Sequence, residues 1–202
     1  MPTASPRPAI DFYFDFSSSY TYVGLARIEV LAKRHDRDLN WKPISLGAIF
    51  KERGHAPPST DTAKGRYIYL DVERCAEEHN LPYRWPTVFP FNSIPAARGF
   101  LYLQTLPGNV AVDYAHRVFN HAFADAGDVA NLETLGDIAR ASGADAAEFA
   151  AAIQSAPIKG KLVELTAEAS RGGVFGAPTL ICDGEMFWGA DRIDQMDRWL
   201  SE

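Results

Sequence analysis

The stretch Ile10-Asp11-Phe12-Tyr13-Phe14-Asp15-Phe16-Ser17-Ser18-Ser19-Tyr20, with the apolar run that follows it to His35, decides the fold. Aromatic and β-branched residues from Ile10 to Phe16 predict a short strand. Ile10, Phe12, Phe14 and Phe16 share one face by the period of two, with Asp11, Tyr13 and Asp15 on the other. The serines then lead into a predicted helix with Val23, Ala26 and Leu31 among its apolar positions, and Ile28 and Val30 beside them. A serine at a helix start caps it by accepting from a backbone N–H that has no partner inside the helix. The same end carries partial positive charge and free N–H groups, so it also favours an anion or a thiolate. For any one serine taken alone, capping is the simpler reading.

Working outward, Asp36-Arg37-Asp38 makes a polar turn, and Leu39-Asn40-Trp41-Lys42-Pro43-Ile44 reads as a second strand. Strand, helix and strand in this order form a βαβ unit, so the two strands should run parallel. At the far end, two short strands are predicted between Ala177 and Trp188 around Asp183-Gly184, a strong two-residue hairpin signal. A final helix follows, with Ile193, Met196, Trp199 and Leu200 inward and Asp191 as its expected N-cap.

Residues 45–64 are expected to be irregular, being rich in glycine, proline and polar residues. A helix is expected over 66–80, with Ile68, Val72, Cys75 and His79 on one stripe, ended by Leu81-Pro82. The run Tyr83-Arg84-Trp85-Pro86-Thr87-Val88-Phe89-Pro90-Phe91-Asn92-Ser93 is a proline- and aromatic-rich loop, either a pocket wall or a rigid connector plugged in by Trp85 and Phe89. Further helices are expected over 96–105, 110–124, 132–141 and 145–153. Another has Pro157 in its first turn and a glycine cap at Arg171-Gly172-Gly173.

With 202 residues, 47% hydrophobic and 23% charged, the chain supports one sizeable core, or a core with an inserted subdomain. A net charge of −6 argues against a general nucleic-acid surface. Residues 1–9 lack the apolar segment of a secretory signal and read as a loose leader. No uncharged apolar run approaches the ~20 residues that span a bilayer, so no membrane partner and a cytoplasmic location are expected. Cys75 and Cys182 lie far apart outside any C-x-x-C pattern and read as small buried filler. His116 and His121, five apart, miss the i, i+4 spacing of paired ligands, and no metal is expected.

Asp11-Phe12-Tyr13-Phe14-Asp15-Phe16 followed by Ser17-Ser18-Ser19-Tyr20-Thr21-Tyr22 resembles the opening of 2-hydroxychromene-2-carboxylate isomerases. That family is related to kappa-class glutathione transferases and to disulfide oxidoreductases of the thioredoxin-like kind. The resemblance implies an α/β chain with a thioredoxin-like fold and an all-helical insertion after the second strand. Residues 1–44 and 172–202 would form the thioredoxin-like domain, and 45–171 the helical insertion with the substrate-pocket loops.

It also implies glutathione as cofactor, with Ser18 at the position whose serine faces the glutathione sulfur. The usual next residue in the family is proline, where this chain has Ser19. Val174-Phe175-Gly176-Ala177-Pro178-Thr179 resembles the family's cis-proline stretch, where the residue before the proline pairs with glutathione through its backbone. A proline opening a strand is the plain alternative. Trp188-Gly189-Ala190-Asp191-Arg192 resembles the stretch that grips the γ-glutamyl end, so Ala177, Pro178, Trp188, Gly189, Ala190 and Asp191 are expected to hold glutathione. Gly47-Ala48-Ile49-Phe50-Lys51 and Phe89-Pro90-Phe91-Asn92-Ser93 resemble the substrate segments. Lys51 is then the expected cation for a substrate carboxylate, and Phe91, Asn92 and Ser93 its wall. A solvated lysine is the alternative for Lys51.

The implied activity is the glutathione-dependent interconversion of 2-hydroxychromene-2-carboxylate and trans-o-hydroxybenzylidenepyruvate, in bacterial breakdown of naphthalene-type aromatics. The expected partners are a small aromatic carboxylate and a second copy in a homodimer. A kappa-like glutathione transferase is the alternative, and a non-catalytic thioredoxin-like scaffold the second.

Overall fold

Strand β1 (Ile10–Phe14) lies at the centre because its sequence alternates. Ile10, Phe12 and Phe14, and Phe16 beyond the strand, are all fully buried. The computed structural model describes residues 8–202, so the expected leader lies outside the described residues up to Arg7. Helix α1 (Ser19–Arg34) carries the chain over to β2 (Leu39–Pro43), which runs parallel to β1 with Phe12 opposite Trp41. Strands β3 (Thr179–Cys182) and β4 (Glu185–Trp188) complete a four-stranded sheet in the order β2-β1-β3-β4, with β3 antiparallel to both neighbours. Their turn is the expected hairpin: Asp183 and Gly184 sit at φ +51° and +87°, the double positive φ that suits the right-handed twist of the strands.

Between β2 and β3 the chain is helical among the described residues: α2 (Leu46–Glu52), α3 (Ala63–Glu78), α4 (Ile94–Leu103), α5 (Val110–Phe123), α6 (Leu132–Ala141), α7 (Ala146–Ala152) and α8 (Ala156–Arg171). Helix α9 (Ile193–Leu200) closes the chain, with Ile193 and Met196 buried and Trp199 and Leu200 packed on the core. The thioredoxin-like architecture with an all-helical insertion is borne out. At the end of α8 the Gly172 N–H reaches Glu168 O, and Gly173 takes φ +90°, the glycine-ended helix that the sequence suggests.

Two expectations are corrected. Residues 45–64 are not wholly irregular: Ser45 Oγ accepts the Ala48 N–H, and Ile49 anchors α2 in a small core with Ile44, Ala169 and Val174. Helix α3 starts earlier than expected, capped by Thr62, whose Oγ1 accepts the Gly65 N–H at 3.0 Å. On α1 Val23, Ile28 and Leu31 of the apolar run lie in the core, but Ala26 and Val30 of the same run do not and are exposed. Tyr22 and Leu25 are buried as well, and α1 also packs on the segment after β4. A Cβ on Gly24 would meet the Ala190 Cβ at 3.0 Å.

The main core is aromatic. Phe14 stands with ring centroids 5.2 Å from Phe12 and Phe100, 5.3 Å from Phe16, 5.5 Å from Trp41 and 6.1 Å from Phe119. It therefore ties β1 to β2 and to the inserted helices α4 and α5. Among the described residues no helix is long and apolar enough to cross a membrane.

Candidate active site

The end of β1 turns into α1 through Ser17 and Ser18. Ser18 is extended (φ −86°, ψ 104°), and its Oγ accepts the Thr21 N–H at 3.1 Å. The capping role is therefore real. The same hydroxyl donates to the Ala177 carbonyl at 2.9 Å, joining two points 159 residues apart. Ser18 is nearly buried and Thr21 fully so. A redox C-x-x-C pair would occupy these two positions, and neither residue carries sulfur. Cys75 and Cys182 are both free thiols; Cys182 is buried, as expected, and Cys75 is half-buried.

Ala177–Pro178 is a cis peptide directly before β3. The Pro178 carbonyl accepts the Gly189 N–H at 2.9 Å, and Thr179 pairs with Trp188. These bonds bring the end of β4 beside the proline. Gly189 takes φ +108° and leads into a 3-10 turn over Ala190–Arg192. Ala190 is held against α1 by Gly24, and its carbonyl accepts from Arg27 Nη1 at 3.3 Å. Trp188 is half-exposed and stands edge-on to Phe175 at 4.7 Å. Gly176 is required beneath it, since a Cβ there would lie 2.1 Å from the Trp188 Nε1.

Asp191 does not cap the final helix. It lies inside the 3-10 turn, and α9 begins at Ile193 with Arg192 before it and no side-chain cap. The positive φ of Gly189 starts the turn two residues earlier than a standard N-cap would. The Asp191 carboxylate, 72% exposed, has the Arg192 guanidinium 3.3 Å away. Its carboxylate is open to a ligand cation.

Around this centre, Tyr20 Oη donates to Asp71 Oδ2 at 2.7 Å, linking α1 to α3. Burial, and then the Asp71 carboxylate, push the Tyr20 phenol up. Burial also raises the Cys75 thiol, and the charges of Asp71, Glu78 and Asp191 add to it. Both groups stay protonated at neutral pH. Tyr22 Oη donates to the Pro82 carbonyl at 2.6 Å and its ring lies 6.1 Å from Tyr83. The aromatic loop is thereby held on the first turns of α1. Tyr83 is pushed up by burial, with the Ser19 hydroxyl opposing.

In that loop Trp85 stacks on Tyr69 at 4.0 Å, and Phe89 and Phe91 lie 6.4 and 6.0 Å from Phe123. Phe89–Pro90 is a second cis peptide. The Trp85 indole N–H is buried with no hydrogen-bond partner. The loop is thus both connector and wall. Asn92 Oδ1 accepts the Ile94 N–H at 3.2 Å and so starts α4; Ser93 is buried at its cap position. Lys51 is exposed in the last turn of α2.

The structure therefore joins Ser18, Ala177 and Pro178 directly, with Trp188, Gly189, Ala190 and Asp191 beside them. Phe91, Asn92 and Ser93 belong to the loop that leads into α4, and Lys51 to α2, which packs against α8. Among the described residues no hydrogen bond joins these four to Ser18. A residue that the sequence reading passed over is Asp15, whose carboxylate binds Ser17 and Leu46. Its only signal was an acid on the apolar strand three residues before Ser18. An open groove of about 600 Å³ between α5 and α6 is lined by none of these residues. Among the described residues no three His, Cys, Asp or Glu side chains are grouped to hold a metal ion.

The model of the DSBA-like thioredoxin domain family matches residues 9–201. The chain belongs to this family. It is 30% identical over 192 residues to 2-hydroxychromene-2-carboxylate isomerase of Pseudomonas sp. (strain C18), covering 93% of this chain and 88% of that protein. A solved 2-hydroxychromene-2-carboxylate isomerase superposes with a TM-score of 0.84 at 27% identity, over 96% of this chain and 94% of the other. Rat glutathione S-transferase kappa 1 is 24% identical over 213 residues, covering 98% and 93% of the two chains. The resemblance to the isomerases thus holds over most of the chain, and the expectation of an enzyme related to them is borne out.

Proposed function

We propose that this chain is a glutathione-dependent isomerase that interconverts 2-hydroxychromene-2-carboxylate and trans-o-hydroxybenzylidenepyruvate. The observation that carries the reading is the Ser18 hydroxyl at the start of α1, 2.9 Å from the carbonyl before a cis proline. The residues fit glutathione: a peptide edge at Ala177, an open carboxylate at Asp191 and a half-exposed indole at Trp188. Glutathione, when bound, supplies a thiol that adds reversibly to a conjugated carbon, so that the adjoining double bond loses its order and can rotate. Ser18 turns its O–H from the Ala177 carbonyl to the sulfur, and the N-terminus of α1 adds its partial positive charge, favouring the anion. Lys51 pairs with the substrate carboxylate, while Phe91, Asn92 and Ser93 wall its aromatic ring. Cytoplasmic location, a homodimer and the division into 1–44 with 172–202 and 45–171 belong to the same reading.

Turnover of the chromene carboxylate with and without glutathione tests it, beside calorimetry with glutathione alone. Interconversion that requires glutathione is expected. Binding without isomerisation, but with transfer of glutathione to an electrophilic aromatic halide, would favour the kappa-like transferase, to which the 24% identity with the rat enzyme lends support. No heat of binding at millimolar glutathione would leave only the scaffold.

Asp191 gives a separate expectation. Asn at this position removes the ionic partner of the γ-glutamyl ammonium and should weaken glutathione affinity about tenfold, as loss of a charge-assisted bond would. Because Asp191 caps no helix, both Asp191→Asn and Asp191→Ala should leave stability within about 0.5 kcal/mol of the parent. Paired titrations and thermal melts decide. Parent-like affinity in Asp191→Asn would remove Asp191 from the site.

A further inference from the structure

We infer that Asp15 is a positioning residue, whose buried carboxylate ties the turn carrying Ser18 to the helix carrying Lys51. Asp15 is 1% exposed. Its Oδ1 accepts both the Ser17 N–H and the Ser17 hydroxyl at 2.8 Å, and its Oδ2 accepts the Leu46 N–H at 2.7 Å. Its main-chain carbonyl accepts the Ser18 N–H at 2.9 Å. A carboxylate taken out of water is costly unless fixed donors replace its hydration. Here the donors come from two segments, one adjoining Asp15 and one 31 residues further along the chain. Burying such a group for shape alone has cheaper solutions: an apolar residue, as at Phe14 and Phe16 on either side, would pack without needing donors.

The arrangement has a geometric consequence. Ionised carboxylate oxygens only accept, and charge-assisted bonds are short and directional. Ser17 is locked twice on one oxygen, so the next residue, Ser18, has little freedom about the turn. The other oxygen fixes Leu46, the first residue of α2, and Lys51 follows within that helix. One side chain therefore sets the spacing between the sulfur-facing hydroxyl and the substrate-facing cation. This role rests on the isomerase reading, in which those two groups act on one substrate. Misplacement by even about 1 Å is enough to cost a large factor in rate.

The test is Asp15→Asn, with Ser17→Ala as a milder variant that keeps the backbone bond. An amide has one acceptor oxygen, so it can hold Ser17 or Leu46 but not both. Asp15→Asn should lower kcat per folded molecule at least tenfold, with the glutathione dissociation constant within about threefold of the parent. Ser17→Ala should lower kcat two- to fivefold, and should add nothing further in the Asp15→Asn background. Amide hydrogen exchange should speed up in both variants at Ser17 and Ser18, and at Leu46 in Asp15→Asn only, with α8 unchanged. Unchanged exchange at Leu46 overturns the tie, whatever the activity. Faster exchange with parent kcat makes Asp15 structural only and overturns the positioning role. If Asp15→Asn fails to fold, parent-like kcat in Ser17→Ala overturns it equally. A parent that binds no glutathione and shows no turnover removes the isomerase reading and the positioning role with it, and exchange then judges the tie alone.

Discussion

Ser18→Ala is expected to lower turnover ten- to a hundredfold at saturating glutathione. A hydrogen bond to a charged group contributes about 1.5–3 kcal/mol, and each ~1.4 kcal/mol off the barrier is tenfold in rate. The structure adds a second effect, because the same hydroxyl caps α1 and satisfies the Ala177 carbonyl. Losing a serine cap to alanine costs about 0.5–2 kcal/mol of stability. The two effects must be separated, and Ser18→Gly does this. Glycine at an N-cap costs only a few tenths of a kcal/mol, yet it also lacks the hydroxyl. Both variants should therefore lose turnover alike and both lose the Ala177 bond, while Ser18→Ala, which bears the larger capping loss, melts earlier than Ser18→Gly. Rates corrected for folded fraction, with melts on both proteins, are the measurement. A Ser18→Gly enzyme with parent turnover would sink the role. Ser19 would be next in line, because the Ser17 hydroxyl is already bound to Asp15.

The centre of the fold was legible because β1 is buried on one face only, and alternation then reports the face directly. The Asp183-Gly184 turn was legible for a similar reason: two positive φ angles in succession need those residue types. Helix α2 was not, since a seven-residue helix containing Gly47 gives too few turns for a period to stand out. On α1 the apolar run is legible, but Ala26 and Val30 lie outside the core. The helix packs on α3, α5, α9 and the turn at Ala190, and the run alone does not say which of its residues these cover. Asp191 has the residue type of a cap, but the glycine before it sends the chain into a 3-10 turn. At the site, no local pattern joins Ser18 to Ala177 across 159 residues; family resemblance relates the two stretches, and in the fold a hydrogen bond joins them. Asp15 reads from the sequence as part of a strand face, and its bond to Leu46 depends on where α2 begins, for which the sequence carries no clear signal.

The aromatic core that holds this site in place leads to the other large expectation, Phe14→Ala. Phe14 is fully buried, and its ring meets residues of β1, β2, α4 and α5. Removing the ring leaves a cavity between the sheet and the inserted helices that neither can close without breaking strand pairing. Such truncations cost about 3–5 kcal/mol, a large part of the roughly 5–15 kcal/mol that holds a domain folded. With roughly 2–4 °C of melting temperature per kcal/mol at this chain length, the melt should fall by about 6–20 °C. Phe14→Leu, which keeps most of the volume, should fall much less, since near-isosteric apolar swaps usually cost under about 1.5 kcal/mol. The site should feel the loss as well. Phe14 directly precedes Asp15, so a shift of the strand end moves the carboxylate that holds Ser17 and Leu46. Just below its melt, Phe14→Ala should therefore lose turnover before it loses helix content, whereas Phe14→Leu should lose both together. A fall in melting temperature below about 4 °C for Phe14→Ala would mean that sheet and helices close over the gap. The aromatic cluster would then not be what couples the strand to the inserted helices.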